Sequence, residues 1–206
     1  MIKATRSEWL KKAFYHLESK VFLPRTFKKI EITEIPVKPG HSVLLLQNQF
    51  SWWDGFIGSY LAYRFLNKSY HVMVQEDQLR QRPYFRFKGA YSIRKKSREL
   101  FESLHYTAEV LKDPNNMVLV FPQGRLQSIY TENIEVEKGI FKLLELLPKN
   151  CQIIYNAVEI NFFESFKPSV HCHLLDCGTT DELRPEDFRE KISAFHKEAM
   201  RHSIRK

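Results

Sequence analysis

The chain has 206 residues, 43% of them hydrophobic and 27% charged, the balance of a packed domain rather than of a disordered or fibrous segment. It carries a formal charge of +8, and no uninterrupted apolar stretch approaches the roughly 18–20 residues needed to cross a bilayer. Lys3 and Arg6 have no apolar run behind them, against a secretory signal, and the odd set Cys151, Cys172 and Cys177 fits reduced thiols in a cytoplasmic protein.

Trp9, Leu10, Phe14, Leu17 and Val21 recur at helical spacing and predict an amphipathic helix over 7–22. Lys11, Lys12, His16 and Lys20 occupy much of its remaining surface, so it either packs on its own domain or lies in a headgroup layer. A short strand is expected at 27–32, a turn at 36–40, and then alternating units. These are a strand at 42–47, a helix at 54–67, a strand at 70–74, a helical region at 77–88 and a short strand at 90–93. A helix over 97–112, with Leu100, Phe101, Leu104, Val110 and Leu111 along one stripe, leads through Asn115-Asn116 to a strand at 117–121. A helix at 139–147, strands at 152–162 and 170–175, and a helix from Pro185 to the end complete the chain. The inner side of that last helix carries Phe188, Ile192, Phe195 and Ala199.

Strands alternating with helices predict an α/β fold, a mainly parallel or mixed sheet flanked by helices. One domain spans 1–206, with an N-terminal helix at 1–25, a motif-bearing core at 41–165 and a C-terminal helix at 185–206. No internal repeat, low-complexity tract or Gly-rich phosphate loop interrupts it.

The charge is concentrated. Arg80, Arg82, Arg86, Lys88, Arg94, Lys95, Lys96 and Arg98 fall in one window without an acidic residue, and the other 24 basic residues balance the 24 acidic ones. Tyr84, Phe85, Phe87 and Tyr91 are interleaved with them, as suits a surface that meets phosphates beside apolar groups. Anionic lipid headgroups or an acyl carrier's phosphates fit this window, as does a plain solvated face. Nucleic acid fits on charge alone and has no reader motif here.

Four segments carry chemistry. Asn48-Gln49-Phe50-Ser51-Trp52-Trp53-Asp54-Gly55 joins the apolar strand to a helix. Gly89-Ala90-Tyr91-Ser92-Ile93-Arg94-Lys95 is a Gly-led strand ending in cations, and Phe121-Pro122-Gln123-Gly124 follows a buried strand. Lys138-Gly139-Ile140 opens a helix before the strand Ile153-Ile154-Tyr155-Asn156-Ala157. In this order and with these gaps, over about 41–165, they resemble the four blocks of the glycerolipid acyltransferases, the lysophosphatidic acid acyltransferases and their relatives.

That resemblance implies transfer of an acyl chain from an acyl-CoA or acyl-carrier-protein thioester to a hydroxyl acceptor, at the cytoplasmic face of a membrane. It implies no metal or redox cofactor. In the family the first block reads Asn-His-x-Ser-x-x-Asp, where the His takes the acceptor's proton and the Asp orients it. Here Asn48, Ser51 and Asp54 stand at the matching positions, and Gln49 stands where the His belongs. An amide has no basic lone pair near neutral pH, whereas imidazole titrates at about 6.5. Gln49 can hydrogen-bond Asp54 and position a hydroxyl, but it cannot accept a proton, and losing a general base typically costs about 10²–10⁴ in rate.

The resemblance further implies that Arg94 or Lys95 contacts the acceptor's phosphate, and that Ser51, Gln123, Gly124 and Arg125 shape the acceptor site. The third block departs from Phe-Pro-Glu-Gly-x-Arg-Ser at Gln123 and at Leu126, with Arg125 adjacent, and the fourth lacks its Val-Pro pair. Two readings follow: an acyltransferase, or a pseudoenzyme that binds lipid, acyl carrier or a protein partner without turnover. Asp54 serves as base only if burial raises its pKa. His41 lies roughly 20 Å down the strand from the corner, and the sequence does not bring His71 or His105 near it. Trp52 and Trp53 either line an acyl groove or anchor the helix. His171 and His173 share a strand face, which suits a metal, but no second ligand pair accompanies them and a plain strand accounts for both.

Overall fold

Val43 and Leu45 point to one side of their strand, Leu44 and Leu46 to the other, and all four are fully buried. Only a strand covered on both faces can do this. The structure, a computed structural model, describes residues 1–5, 7–94 and 99–204. Arg6, Lys95, Lys96 and Arg98, each of which the sequence singles out, lie outside the described residues.

The strands are β1 (Lys29–Ile32), β2 (Ser42–Gln47), β3 (Ser69–Gln75), β4 (Ala90–Ile93), β5 (Asn116–Val120), β6 (Cys151–Asn161) and β7 (Ser169–Thr179). They form one sheet in the order β1-β7-β6-β2-β5-β3-β4. β2 pairs in parallel with β5 and β6, β3 with β4 and β5, and β1 with β7. The hairpin of β6 and β7 supplies the antiparallel pairing that makes the sheet mixed. Helices cover both faces. On one lie α1 (Glu8–Leu17), α2 (Leu23–Thr26), α3 (Asp54–Leu61) and α4 (Glu76–Gln81). On the other lie α5 (Glu99–Val110), α6 (Lys138–Leu146) and α7 (Pro185–Ile204). Among the described residues no helix is long and apolar enough to cross a membrane.

Two glycines fix how closely these layers approach. A Cβ on Gly58 would collide with Leu119, so α3 sits directly on β5. Gly89 has φ +97° and its backbone abuts the Tyr70 carbonyl, so glycine alone can open β4 there.

The elements match the expected ones in kind, with corrections where tertiary contacts decide. The helical region at 77–88 breaks at Arg82, because Pro83 disfavours a helical conformation in the residue before it. β7 runs on past Leu175 to Thr179, extended by its pairing with β6. In α5, Leu104 is buried and Phe101 exposed. On α7, Phe188, Ile192 and Ala199 face inward as the spacing requires.

The largest correction concerns the N-terminal helix. It continues through a π-helical turn at 18–22 into α2, and Trp9 and Leu17 of its expected apolar stripe are exposed. It is Lys11 and Glu18 that are buried instead. Lys11 Nζ reaches His71 Nε2 at 2.9 Å, Ser69 Oγ at 3.2 Å and Glu8 at 2.7 Å, and Glu18 pairs with Lys88. A buried charge is tolerated only with partners, and these partners set which side turns inward.

All three cysteines are buried reduced thiols. Burial pushes Cys151 up to about 11, and Cys172 and Cys177 each up to about 12.

Candidate active site

β2 ends in polar residues that the core satisfies one by one. Gln47 Nε2 donates to the Asp54 carbonyl at 3.0 Å, and Asn156 Nδ2 donates to Gln47 Oε1 at 3.0 Å. Asn48 extends the sheet with its side chain, donating to the Val158 carbonyl at 2.9 Å and accepting from the Val158 amide at 2.7 Å. The chain then turns into α3, where Asp54 occupies the first turn and its charge meets the positive end of the helix. Asp54 Oδ2 accepts from the amides of Phe50 and Ser51, both at 2.8 Å, and Oδ1 accepts from Ser51 Oγ at 2.9 Å. Ser51 Oγ in turn accepts from the Trp53 amide at 3.1 Å. These bonds favour the carboxylate, yet burial outweighs them and pushes Asp54 up to about 6.

Gln49 is held by its backbone. Its amide donates to Gln123 Oε1 at 2.6 Å, and its carbonyl accepts from the Gln127 amide at 2.9 Å. Gln123 is buried, and its Nε2 donates to Gln127 Oε1 at 2.6 Å. The loop after β5 is thereby stitched to the corner after β2. Gly124, at φ +59°, turns its carbonyl to Gln75 Nε2 at 2.9 Å.

Both loops rim a cavity of about 1100 Å³, at or above the upper end of the usual range for small-molecule sites. Gln49, Ser51 and Asp54 lie in its wall. Its lining also includes apolar side chains, among them Val74, Ile93, Leu100, Leu104 and Ile140. Among the described residues its cations are Arg82, Lys88, Arg125, Lys138 and Lys142.

A sequence profile of the Acyltransferase family matches residues 29–157, more than half of the chain. The chain belongs to the acyltransferase family. Among solved structures it resembles the 1-acyl-sn-glycerophosphate (LPA) acyltransferase PlsC from Thermotoga maritima, with a TM-score of 0.64. That likeness has 12% sequence identity over 98% of this chain and 85% of the other, and so speaks for the shared fold. No curated protein matches the sequence.

Of the eight site residues drawn from the resemblance, the structure brings six to the joined loops. Gln49, Ser51, Asp54, Gly124 and Arg125 line the cavity, and buried Gln123 connects the two loops behind it. Lys95 lies outside the described residues. Arg94 does not line the cavity. Ile93, the last residue of β4, lines the cavity, whereas Arg94 just after it turns to Glu76 at 2.6 Å and Glu99 at 2.9 Å. The expected bond between Gln49 and Asp54 is also not made; the carboxylate accepts instead from residues 50 and 51.

Trp52 lies in the cavity wall beside Phe85, while Trp53 anchors the helix start against Phe27 and Phe56. None of His41, His71 and His105 lines the cavity. His171 and His173 stack on each other and pair with Glu31 at 2.9 Å and Glu159 at 3.3 Å. Among the described residues no group of three or more His, Cys, Asp or Glu side chains converges as metal ligands would.

Several cavity cations went unassigned in the sequence. Lys88 is buried between the rings of Phe56 and Phe85, 4.0 and 5.3 Å from their centroids, and paired with Glu18. Arg82 lies 4.6 Å over the Trp52 ring. Both fall in the basic window, whose density was the usable signal. Lys142 carries no motif that would have marked it.

Proposed function

We propose that the protein is an acyltransferase of the phospholipid or glycerol type. It takes an acyl chain from an acyl-CoA or acyl-carrier-protein thioester to a hydroxyl acceptor, working peripherally on the inner face of a membrane. The observation that carries this reading is the joining of the two motif loops through Gln49 and Gln123, at a cavity lined by both cations and apolar side chains. The apolar side chains suit an acyl chain, and the cations suit the phosphates of donor or acceptor.

In the reaction the acceptor oxygen attacks the thioester carbonyl. The carbonyl re-forms as the thiolate leaves, and the hydroxyl proton ends on the thiol. Gln49 takes no part in proton transfer. Ser51 Oγ lies in the cavity wall and donates to Asp54, so an acceptor hydroxyl donating to Ser51 Oγ has a path to a carboxylate near 6. A base of this strength is better matched to neutral pH than an ordinary carboxylate near 4.

A second reading, binding without turnover, is favoured by one observation: among the described cavity residues there is no imidazole. Thioester consumption by the native protein and by Gln49→His, offered lysophospholipid acceptors, separates the two. Native turnover that Ser51→Ala lowers supports the enzyme with Asp54 as base. An inert native protein beside an active Gln49→His variant means catalysis has been lost on an intact scaffold. Inertness of both against varied donors and acceptors removes the acyltransferase reading.

A further inference from the structure

β6 and β2 run in parallel and stay in register to Gln47 and Asn156, where β2 stops. β6 continues five residues more, to Asn161, reaching roughly 17 Å past the last β2 pair, and the corner follows it at least as far as Val158, which Asn48 bonds. The hairpin tip at 162–168 therefore projects from the same sheet edge on which the cavity is rimmed. It ends in three aromatic side chains. Phe162, Phe163 and Phe166 are 60%, 56% and 105% exposed. Phe163 also holds φ +44°, a left-handed backbone that bulky residues seldom adopt.

The tip is fixed to the end of the N-terminal helix. Lys167 Nζ donates to the Pro24 carbonyl at 2.9 Å, and the Lys28 amide donates to the Pro168 carbonyl at 2.8 Å. That neighbouring segment, residues 20–29, carries Lys20, Arg25, Lys28 and Lys29 and no acidic residue, and it adds the exposed ring of Phe22. With Lys167 the assembly holds five cations, against Glu164 in the tip and Glu31 beside Lys29.

We infer that this tip is a membrane-docking wedge: Phe162, Phe166 and Phe22 enter the headgroup layer of a bilayer containing anionic phospholipid, while Lys20, Arg25, Lys28 and Lys167 meet its phosphates. Apolar side chains ringed by cations match the two attractions of such a surface, burial of hydrocarbon and counter-charge. A docked tip turns the cavity edge toward the bilayer, where a lipid acceptor lies. The inference rests on the proposed lipid acceptor for its purpose and on the tip with its bonded neighbour, residues 20–29, for its contact.

The test is flotation of the full chain with vesicles of phosphatidylcholine alone or mixed with phosphatidylglycerol. The native protein floats with the mixed vesicles, and Phe162→Ser/Phe166→Ser lowers the bound fraction at limiting lipid by roughly tenfold or more, at an unchanged melting temperature. Arg25→Glu/Lys28→Glu weakens binding to the mixed vesicles and leaves the residual binding to phosphatidylcholine as it was. Native-like binding by the double Phe variant overturns the inference, as does failure of the native protein to bind either vesicle. Sedimentation supplies a further check: if the Phe exchange disperses a dimer and spares vesicle binding, a second copy covers the tip and the inference is wrong. Acyl transfer to a short-chain, water-soluble acceptor keeps the two proposals apart. Loss by the double Phe variant of transfer to a vesicle-borne acceptor, with transfer to the soluble one retained, supports both. Binding that depends on the tip, with no transfer by the native protein or by Gln49→His, removes the enzyme and leaves the wedge.

Discussion

The corner after β2 and the N-terminal helix both bury polar side chains, and they differ in where those side chains find partners. In the corner, Asp54 is satisfied by residues three and four positions away. In the helix, Lys11 reaches Ser69 and His71, 58 and 60 positions away, and Glu18 reaches Lys88. Local satisfaction leaves a spaced motif in the sequence. In this helix distant satisfaction of charged side chains leaves none, and it turned the helix so that Trp9 and Leu17 face out.

The comparison breaks most sharply at Glu18. Glu18→Ala strands Lys88 as an unpaired charge in the cavity wall, and chemical denaturation is expected to show a loss of about 3–5 kcal/mol. A loss under about 1 kcal/mol would mean that water reaches Lys88 and that its burial is not what orients the helix.

Gln49→His tests the corner. Because backbone bonds hold residue 49, the exchange leaves the loop in place, and a gain in transfer rate is expected, smaller than the roughly 10²–10⁴ that a general base is worth because Asp54 already serves as one. An unchanged rate in an active protein would assign the base entirely to Asp54.

Gln123→Ala tests the stitch between the loops. It removes both the acceptor of the Gln49 amide and the donor to Gln127. A loss of roughly 1–3 kcal/mol is expected in thermal or denaturant unfolding, with a lower transfer rate.

The pH dependence of Asp54 follows from its raised value. Its ordinary carboxyl titrates at 3.8 and the folded one at about 6, so between these the native state holds the extra proton. The group therefore opposes folding above about 6, and that opposition is relieved as pH falls towards 3.8. Activity runs the other way, because the carboxylate is the base: transfer is expected to fall as pH drops through about 6. A flat rate profile across that range would remove Asp54 from the proton path.

The smallest effect belongs to Trp9→Gln, expected within about 0.5 kcal/mol because the ring is exposed. A larger loss would restore Trp9 to the core the spacing assigned it.

The same contrast explains what was legible. Buried strands such as 42–47 and 117–121 announced themselves as apolar runs, and the Asn48–Asp54 spacing marked a strand-to-helix corner. Arg94 and Lys88 were not separable, since a basic window records charge and not direction. The Glu76 and Glu99 carboxylates that draw Arg94 aside lie in other elements, as does the Glu18 that holds Lys88 in the wall. The Gln123 amide departs from the family's Glu, and its Nε2 has a definite partner that only the fold supplies.

The three cysteines have a practical consequence. With thiols buried and held near 11 or 12, almost none is thiolate at neutral pH, and thiolate is what maleimides and methanethiosulfonates attack. A cysteine placed at Phe166 or Tyr130, both exposed, becomes the one reactive sulfur among the described residues, and a nitroxide or fluorophore attaches there without first stripping the native three.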